Sequence, residues 1–180
     1  MLFVIASDIH GAAPCCRALL DAFAHEGAAR LVLLGDILYH GPRNPLPEGY
    51  DPKEVIAMLN PLADRLLCVR GNCDTEVDQM VLRFPILAEY AYLDAGMRPV
   101  FATHGHHHNT QTPPPLRPGE ILLHGHTHVP AWGWVEDLFC ANPGSVSLPR
   151  GRSDHSCLLY EDGVFRWLTL EGEDFHWEAL

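Results

Sequence analysis

The sequence predicts an α/β fold of two packed, mixed β-sheets flanked by helices, and three observations carry that expectation. Short apolar runs recur along the first two thirds of the 180-residue chain, each too continuous to be a half-buried strand. Helical segments separate the first three runs. The C-terminal third then changes to strands joined by tight turns.

The runs are "LFVIASD" (2–8), "ARLVLLGD" (29–36), "RLLCVRGNCD" (65–74), "RPVFATHG" (98–105) and "EILLHGHTH" (120–128). Helices are expected at 14–26 and 51–63, the second with Asp51 as N-cap and Pro52 at its first position. Strand, helix, strand, helix, strand implies a parallel sheet in the N-terminal half. "WGWVEDLFCANPGSVSLP" (132–149) and "SCLLYEDGVFRWLTLEG" (156–172) read as strands, with Asp162-Gly163 a hairpin signal. The proline-rich stretches "HGPRNPLPEGY" (40–50) and "TPPPLRPG" (112–119) read as loops long enough to carry function. With no internal repeat and no linker, residues 1–180 are expected to form a single domain.

Composition narrows the function classes. A formal net charge of −11 argues against a protein that gains affinity by neutralising the phosphates of a long nucleic acid. It leaves a small anionic substrate open, because bound divalent cations reverse the sign locally. No apolar run approaches the ~20 residues of a membrane span. "MLFVIASD" lacks the basic n-region of a signal peptide, which gives a cytoplasmic expectation. Cys15, Cys16, Cys68, Cys73, Cys140 and Cys157 have no C-x-x-C spacing and are expected to be reduced.

Every apolar run ends in metal-binding residue types: Asp8 and His10, Asp36, Asn72, His104, then His126 and His128. Strand carboxyl ends are where sites assemble in open α/β sheets. Each member alone has an ordinary reading, since Asp8 could cap a helix and "NCD" could form an Asx-turn. Five such endings in succession point to one site. Mixed oxygen and imidazole donors suit Mn²⁺, Zn²⁺, Fe²⁺, Co²⁺ or Ni²⁺ rather than Mg²⁺ or Ca²⁺.

The ordered set D-x-H, G-D, G-N-x-D, H-G and G-H-T-H, covering residues 4–146, resembles the calcineurin-like metallophosphoesterase family. "HGPRN", "VRGNCDTEVDQM", "GHTHVP" and "NPGSVSLP" further resemble the small bacterial phosphodiesterases of the YfcE type. The resemblance implies a four-layer αββα sandwich. It implies two divalent transition-metal ions, Mn²⁺ foremost, and hydrolysis of small phosphodiesters by a hydroxide generated at that dinuclear centre. Asp8, His10, Asp36 and His128 would hold one ion; Asp36, Asn72, His104 and His126 the other, with Asp36 bridging. Asn72 and His104 are the catalytic candidates. Arg43 and Asn44 on the "HGPRN" loop are candidates for contacting substrate, although an ordinary surface role fits them as well. Asn142 and Ser145 could orient ligands or merely form a turn.

Of the run "HGHHHN" (104–109), the resemblance needs His104 alone. His106, His107 and His108 read as a solvated loop, one of which could line the substrate mouth. The H-x-H-x-D-H motif of metallo-β-lactamase-like hydrolases fails, because His108 stands where Asp is required. Cys73 stands where many of these phosphoesterases carry a histidine that protonates the leaving oxygen, and a thiol is a weak donor. Should another acid serve, Asp74 or a loop histidine is the candidate. The competing class is a phosphoesterase-fold scaffold that binds partners without hydrolysis, recognisable by decayed ligands; here all seven positions carry donors. A zinc-dependent acyl hydrolase would need an oxyanion constellation that the chain lacks. The partner expected is a small phosphoester, with neither membrane nor long nucleic acid; a homo-oligomer is compatible.

Overall fold

The computed structural model describes residues 1–94, 96 and 98–180. The chain runs β1 (Phe3–Ala6), α1 (Ala13–His25), β2 (Arg30–Leu33), α2 (Pro52–Leu59) with a 3-10 segment (Asn60–Arg65), β3 (Leu66–Cys68), α3 (Glu76–Val81), β4 (Tyr90–Leu93), β5 (Val100–Thr103), β6 (Ile121–Leu123), β7 (Pro130–Val135), β8 (Leu138–Pro143), β9 (Ser156–Glu161), β10 (Val164–Thr169) and β11 (Asp174–Ala179). One sheet has the order β11-β10-β9-β1-β2-β3 and the other β4-β5-β6-β8-β7. Both are mixed. β1 pairs parallel with β2 and antiparallel with β9, while β6 pairs parallel with β5 and β8.

Burial explains the unbroken apolar runs. β1, β5 and β6 are buried on both faces, so neither face needs polar residues. Along β1 the period-two alternation sends Phe3 and Ile5 into the layer between the sheets, with Trp167 and Phe139 among their companions. Val4 and Ala6 face the helices instead, packing in one cluster with Cys16, Leu19 and Phe23 of α1 and Val55 and Leu59 of α2. Each fully buried Leu, Ile or Phe contributes roughly 1.5–3 kcal/mol relative to exposure. α2 starts as its sequence dictates, because the Asp51 carboxylate accepts from the Glu54 amide at 3.0 Å. The Asp162-Gly163 turn, with both residues at positive φ, joins β9 to β10 as an antiparallel hairpin.

The fold class is the expected one, but the helical cover is unequal. The buried side chains of α1 and α2 all belong to the six-stranded sheet's cluster. On the outer face of the other sheet, Phe101, Leu122 and Cys140 are packed by Leu116 of the proline-rich loop. Three consecutive prolines at 113–115 bar a helix there. β4, α3 and β11 have no match among the elements expected from sequence. β4 and β11 are edge strands with exposed aromatics, and α3 is too short for a helical stripe; a Thr75/Asp78 capping box starts it. All six cysteines are unpaired. No helix among the described residues is long and apolar enough to cross a membrane.

Candidate metal centre

Each donor side chain sits on the loop that leaves a strand's C-terminal end: Asp8 and His10 after β1, Asp36 after β2, Asn72 after β3, His104 after β5, and His126 and His128 after β6. These loops turn back sharply. Asp8 (φ 61°), His10 (49°), Asp36 (58°), His126 (66°) and His128 (62°) all lie in the left-handed region. Asp and His tolerate that region better than most residues, and such backbone strain clusters at functional sites.

The geometry brings all seven together. Asp36 Oδ2 lies 3.6 Å from His10 Nε2 and 3.5 Å from His104 Nε2. Asp8 Oδ1 lies 3.2 Å from His128 Nε2 and 3.5 Å from His10 Nε2. His104 Nε2 is 3.0 Å from Asn72 Oδ1 and 3.2 Å from His126 Nδ1. Asp8, His10 and His128 offer three donor atoms within 4.8 Å of one another, as do Asp8, Asp36 and His104. Cys73 makes a similar group with His10 and Asp36, so its thiol lies closer to the centre than a supporting role required.

Backbone carbonyls fix which imidazole nitrogen faces inward. His10 Nδ1 donates to Tyr39 O at 2.8 Å, His104 Nδ1 to Leu34 O at 2.7 Å, and His128 Nδ1 to Leu148 O at 2.7 Å. A carbonyl only accepts, so each Nδ1 carries the proton and Nε2 presents its lone pair to the centre. His10 Nε2 and His128 Nε2 then face each other at 3.4 Å. Asp8 Oδ1, fully buried, has no hydrogen-bond partner beside them. Lone pairs converging on a buried space need a cation, and this donor set fits divalent metal ions of the borderline class.

Electrostatics agree. Burial opposes the Asp8 carboxylate, yet His10 and His128 hold it well below the usual range. Burial likewise opposes protonation of His10, but Asp8 raises it above the ordinary imidazole value. Burial, reinforced by His104, pushes His126 down.

The supporting residues act on backbone. Asp74 is buried, and its carboxylate accepts from the amides of Ile37, Asp36 and Gly71 at 2.9, 2.8 and 2.7 Å. Both oxygens are thus engaged away from the cleft, which removes Asp74 as a candidate leaving-group acid. Asn142 donates to Gly125 O and Thr127 Oγ1, holding the "GHTH" loop, and Ser145 and Ser147 both donate to Asp8 O. The "NPGS" segment is therefore a brace as well as a turn. Burial and then Asp36 push the Cys73 thiol up.

Gly71 has no room for a side chain. A methyl there would lie 2.1 Å from Asp36 Oδ1 and 2.3 Å from Asp36 N. Gly71→Ala is expected to cost roughly 1–3 kcal/mol of stability and to displace the Asp36 carboxylate. Denaturant unfolding with metal analysis checks this. A wild-type midpoint with wild-type metal uptake contradicts it.

Above the donors opens a cleft of about 620 Å³, lined by Tyr39, Arg43, Asn44, Asn72, Cys73 and Arg150 among others. Asn44 does not face the cleft freely: its amide donates to His40 O and its oxygen accepts from Arg150 Nη2 at 2.7 Å. Asn44 therefore positions Arg150, whose own amide donates to His128 O. The sequence reading missed Arg150 and Tyr39; the only signal for Arg150 is a basic residue closing "NPGSVSLPR". His106 departs from a solvated loop. It is half-buried, with its ring 5.3 Å from His104, and burial together with His104 pushes it down to about 4.

A family model described as the calcineurin-like phosphoesterase superfamily domain matches residues 1–162. Phosphodiesterase YfcE of Escherichia coli (strain K12) is 43% identical over 173 residues, 96% of this chain and 94% of that protein. The solved structure of YfcE, described as a phosphoesterase from E. coli, superposes with a TM-score of 0.96 at 42% identity, covering 99% of both chains. The structure of wild-type Vps29 complexed with Zn²⁺ from Entamoeba histolytica has a TM-score of 0.61 at 22% identity, covering 100% of this chain and 98% of that one. That last likeness is one of fold alone.

Proposed function

This chain belongs to the calcineurin-like phosphoesterase superfamily, and we propose on that footing that it hydrolyses small phosphodiesters with two divalent metal ions, Mn²⁺ foremost. The single observation that supports this most is the buried convergence of lone pairs around Asp36 Oδ2, between the imidazoles of His10 and His104. Asp8, His10, Asp36 and His128 would hold one ion, and Asp36, Asn72, His104 and His126 the other. Bound there, the ions would supply Lewis acidity toward phosphoryl oxygens and bring the pKa of water toward about 7.

The chain's own residues do the rest. Asp36 Oδ1 accepts from the Cys73 amide at 2.8 Å, which leaves Oδ2 toward His10 and His104, where Asp36 would serve both ions. Asn72 contributes an amide oxygen without a further negative charge, so the centre stays cationic toward phosphate. Asn72, exposed to the cleft, and the buried His104 beside it would act next to the reacting group. Arg43 and Arg150 would take the substrate's other oxygens, with Asn44 holding Arg150 in place. Residues 1–180 act as one domain, β10 and β11 completing the sheet that carries Asp8 and Asp36. Six unpaired cysteines suit a reducing cytoplasm. The scaffold alternative finds no support, since no donor position has decayed.

Cys73 sets the leaving-group preference. A thiol is a poor proton donor and a thiolate beside bound cations would donate nothing, so either way the leaving oxygen departs with little protonation from this position. Aryl diesters should be cleaved far faster than alkyl diesters, and diesters better than dianionic monoesters. The experiment is a series of aryl and alkyl esters with Mn²⁺-loaded wild type and Cys73→His. We expect rate to fall steeply as leaving-group pKa rises, with a shallower slope in the histidine variant. Monoesters turned over as fast as matched diesters would overturn the substrate class. A flat wild-type slope, with chemistry rate-limiting, would overturn the role of Cys73.

A further inference from the structure

We propose that Glu89, His106 and His107 form a third cation site, separate from the centre around Asp36 and suited to Zn²⁺. The three side chains each offer a donor atom, all within 4.8 Å of one another. His107 Nδ1 is 3.3 Å from Glu89 Oε2, and the rings of His106 and His107 lie 3.9 Å apart. His106 Nδ1 is buried with no hydrogen-bond partner. A cavity of about 250 Å³ opens beside them, bordered also by Arg70, Gly71 and Asn72.

Neighbouring side chains hold the ligands in place. Thr112 Oγ1 donates to His107 O at 2.9 Å, and Asn109 Nδ2 donates to Gly105 O at 2.9 Å, closing the histidine loop on itself. Asn109 Oδ1 accepts from the amides of Gln111 and Thr112. Glu89 is fixed from the other side by Thr103 Oγ1, which donates to its carbonyl. Arg70 approaches Glu89 Oε1 at 3.7 Å and leaves Oε2 toward the histidines. Adjacent histidines would normally diverge; here a braced bend presents both on one side.

Two imidazoles and one carboxylate oxygen select Zn²⁺, Cu²⁺ or Ni²⁺ over Mg²⁺ and Ca²⁺, and three protein ligands leave a position open for water. His107 and Glu89 stay 64% and 50% exposed, so an ion can enter from solvent. None of the three is a donor to the central site. Asn72 borders both cavities, so an ion here adds positive charge beside the cleft of a chain with net charge −11.

The test loads the intact protein with Zn²⁺, removes free metal by gel filtration and counts ions by elemental analysis. Glu89→Gln and His107→Ala should each hold one ion fewer per chain than wild type, with His108→Ala unchanged. In Co²⁺-loaded protein, a visible absorption band should be lost in those two variants and retained in Asp36→Asn, which separates this site from the central one. Shifts of the His106 and His107 ring resonances on adding Zn²⁺ to the wild type give a readout that needs no variant. Equal zinc content and identical cobalt spectra in wild type, Glu89→Gln and His107→Ala would overturn the proposal. So would histidine resonances that zinc leaves unmoved.

Discussion

Asp36→Asn is expected to lower kcat/KM for an aryl phosphodiester by roughly 10²–10³-fold or more, the scale of losing a central electrostatic group. No single substitution at His106, His107 or His108 should match it. The reason lies in the two carboxylate oxygens. Oδ1 accepts from the Cys73 amide, and Oδ2 occupies the point between His10 and His104. An asparagine of the same shape has one acceptor for two acceptor positions. If its oxygen stays on the Cys73 amide, its NH₂ points where the proposed cations would sit; if it flips, the NH₂ meets a backbone N–H. Kinetics with metal counting check this, since the loss should accompany reduced metal content. A loop-histidine variant as impaired as Asp36→Asn would contradict the assignment of His104 alone to the central site.

Metal removal should abolish hydrolysis, and Mn²⁺ should restore it. Asp8, His10 and Asp36 are all at most 2% exposed, and without cations their donors face one another in a space water scarcely enters. The same argument predicts an effect on folding. Ions that bind only the folded chain stabilise it by about 2.7 kcal/mol at a free concentration 100-fold above Kd. Thermal unfolding of chelated and Mn²⁺-loaded protein should therefore differ, the loaded form melting higher. Undiminished diester hydrolysis after chelation, with elemental analysis showing no residual metal, would sink the metal-dependent reading.

Much of the site was legible because its donors close apolar strands. Asp8, Asp36 and His104 each follow a buried run, and a short polar ending there has few structural uses. The parallel pairing of β1, β2 and β3 followed from the strand–helix alternation, and the β9–β10 hairpin from Asp162-Gly163. What stayed hidden depends on contacts distant in sequence. Arg150 enters the cleft because Asn44, 106 positions earlier, accepts from it. Asp74 looks like a free acid in "GNCD", and only folding hands its oxygens to three amides. The histidine run reads as solvated loop because its braces, Asn109 and Thr112, form no recognisable motif. β4 escaped because an edge strand with exposed Tyr90 and Tyr92 has no buried run.

The central claim is that Asp36 bridges two divalent ions. Its most direct test is diffraction from crystals of the Mn²⁺-loaded protein, with data collected above and below the manganese absorption edge. The account predicts two anomalous peaks, one on each side of Asp36 Oδ2. The first would lie among Asp8, His10 and His128, and the second among Asn72, His104 and His126. A single peak at full occupancy, or two peaks neither of which contacts Asp36, would contradict it.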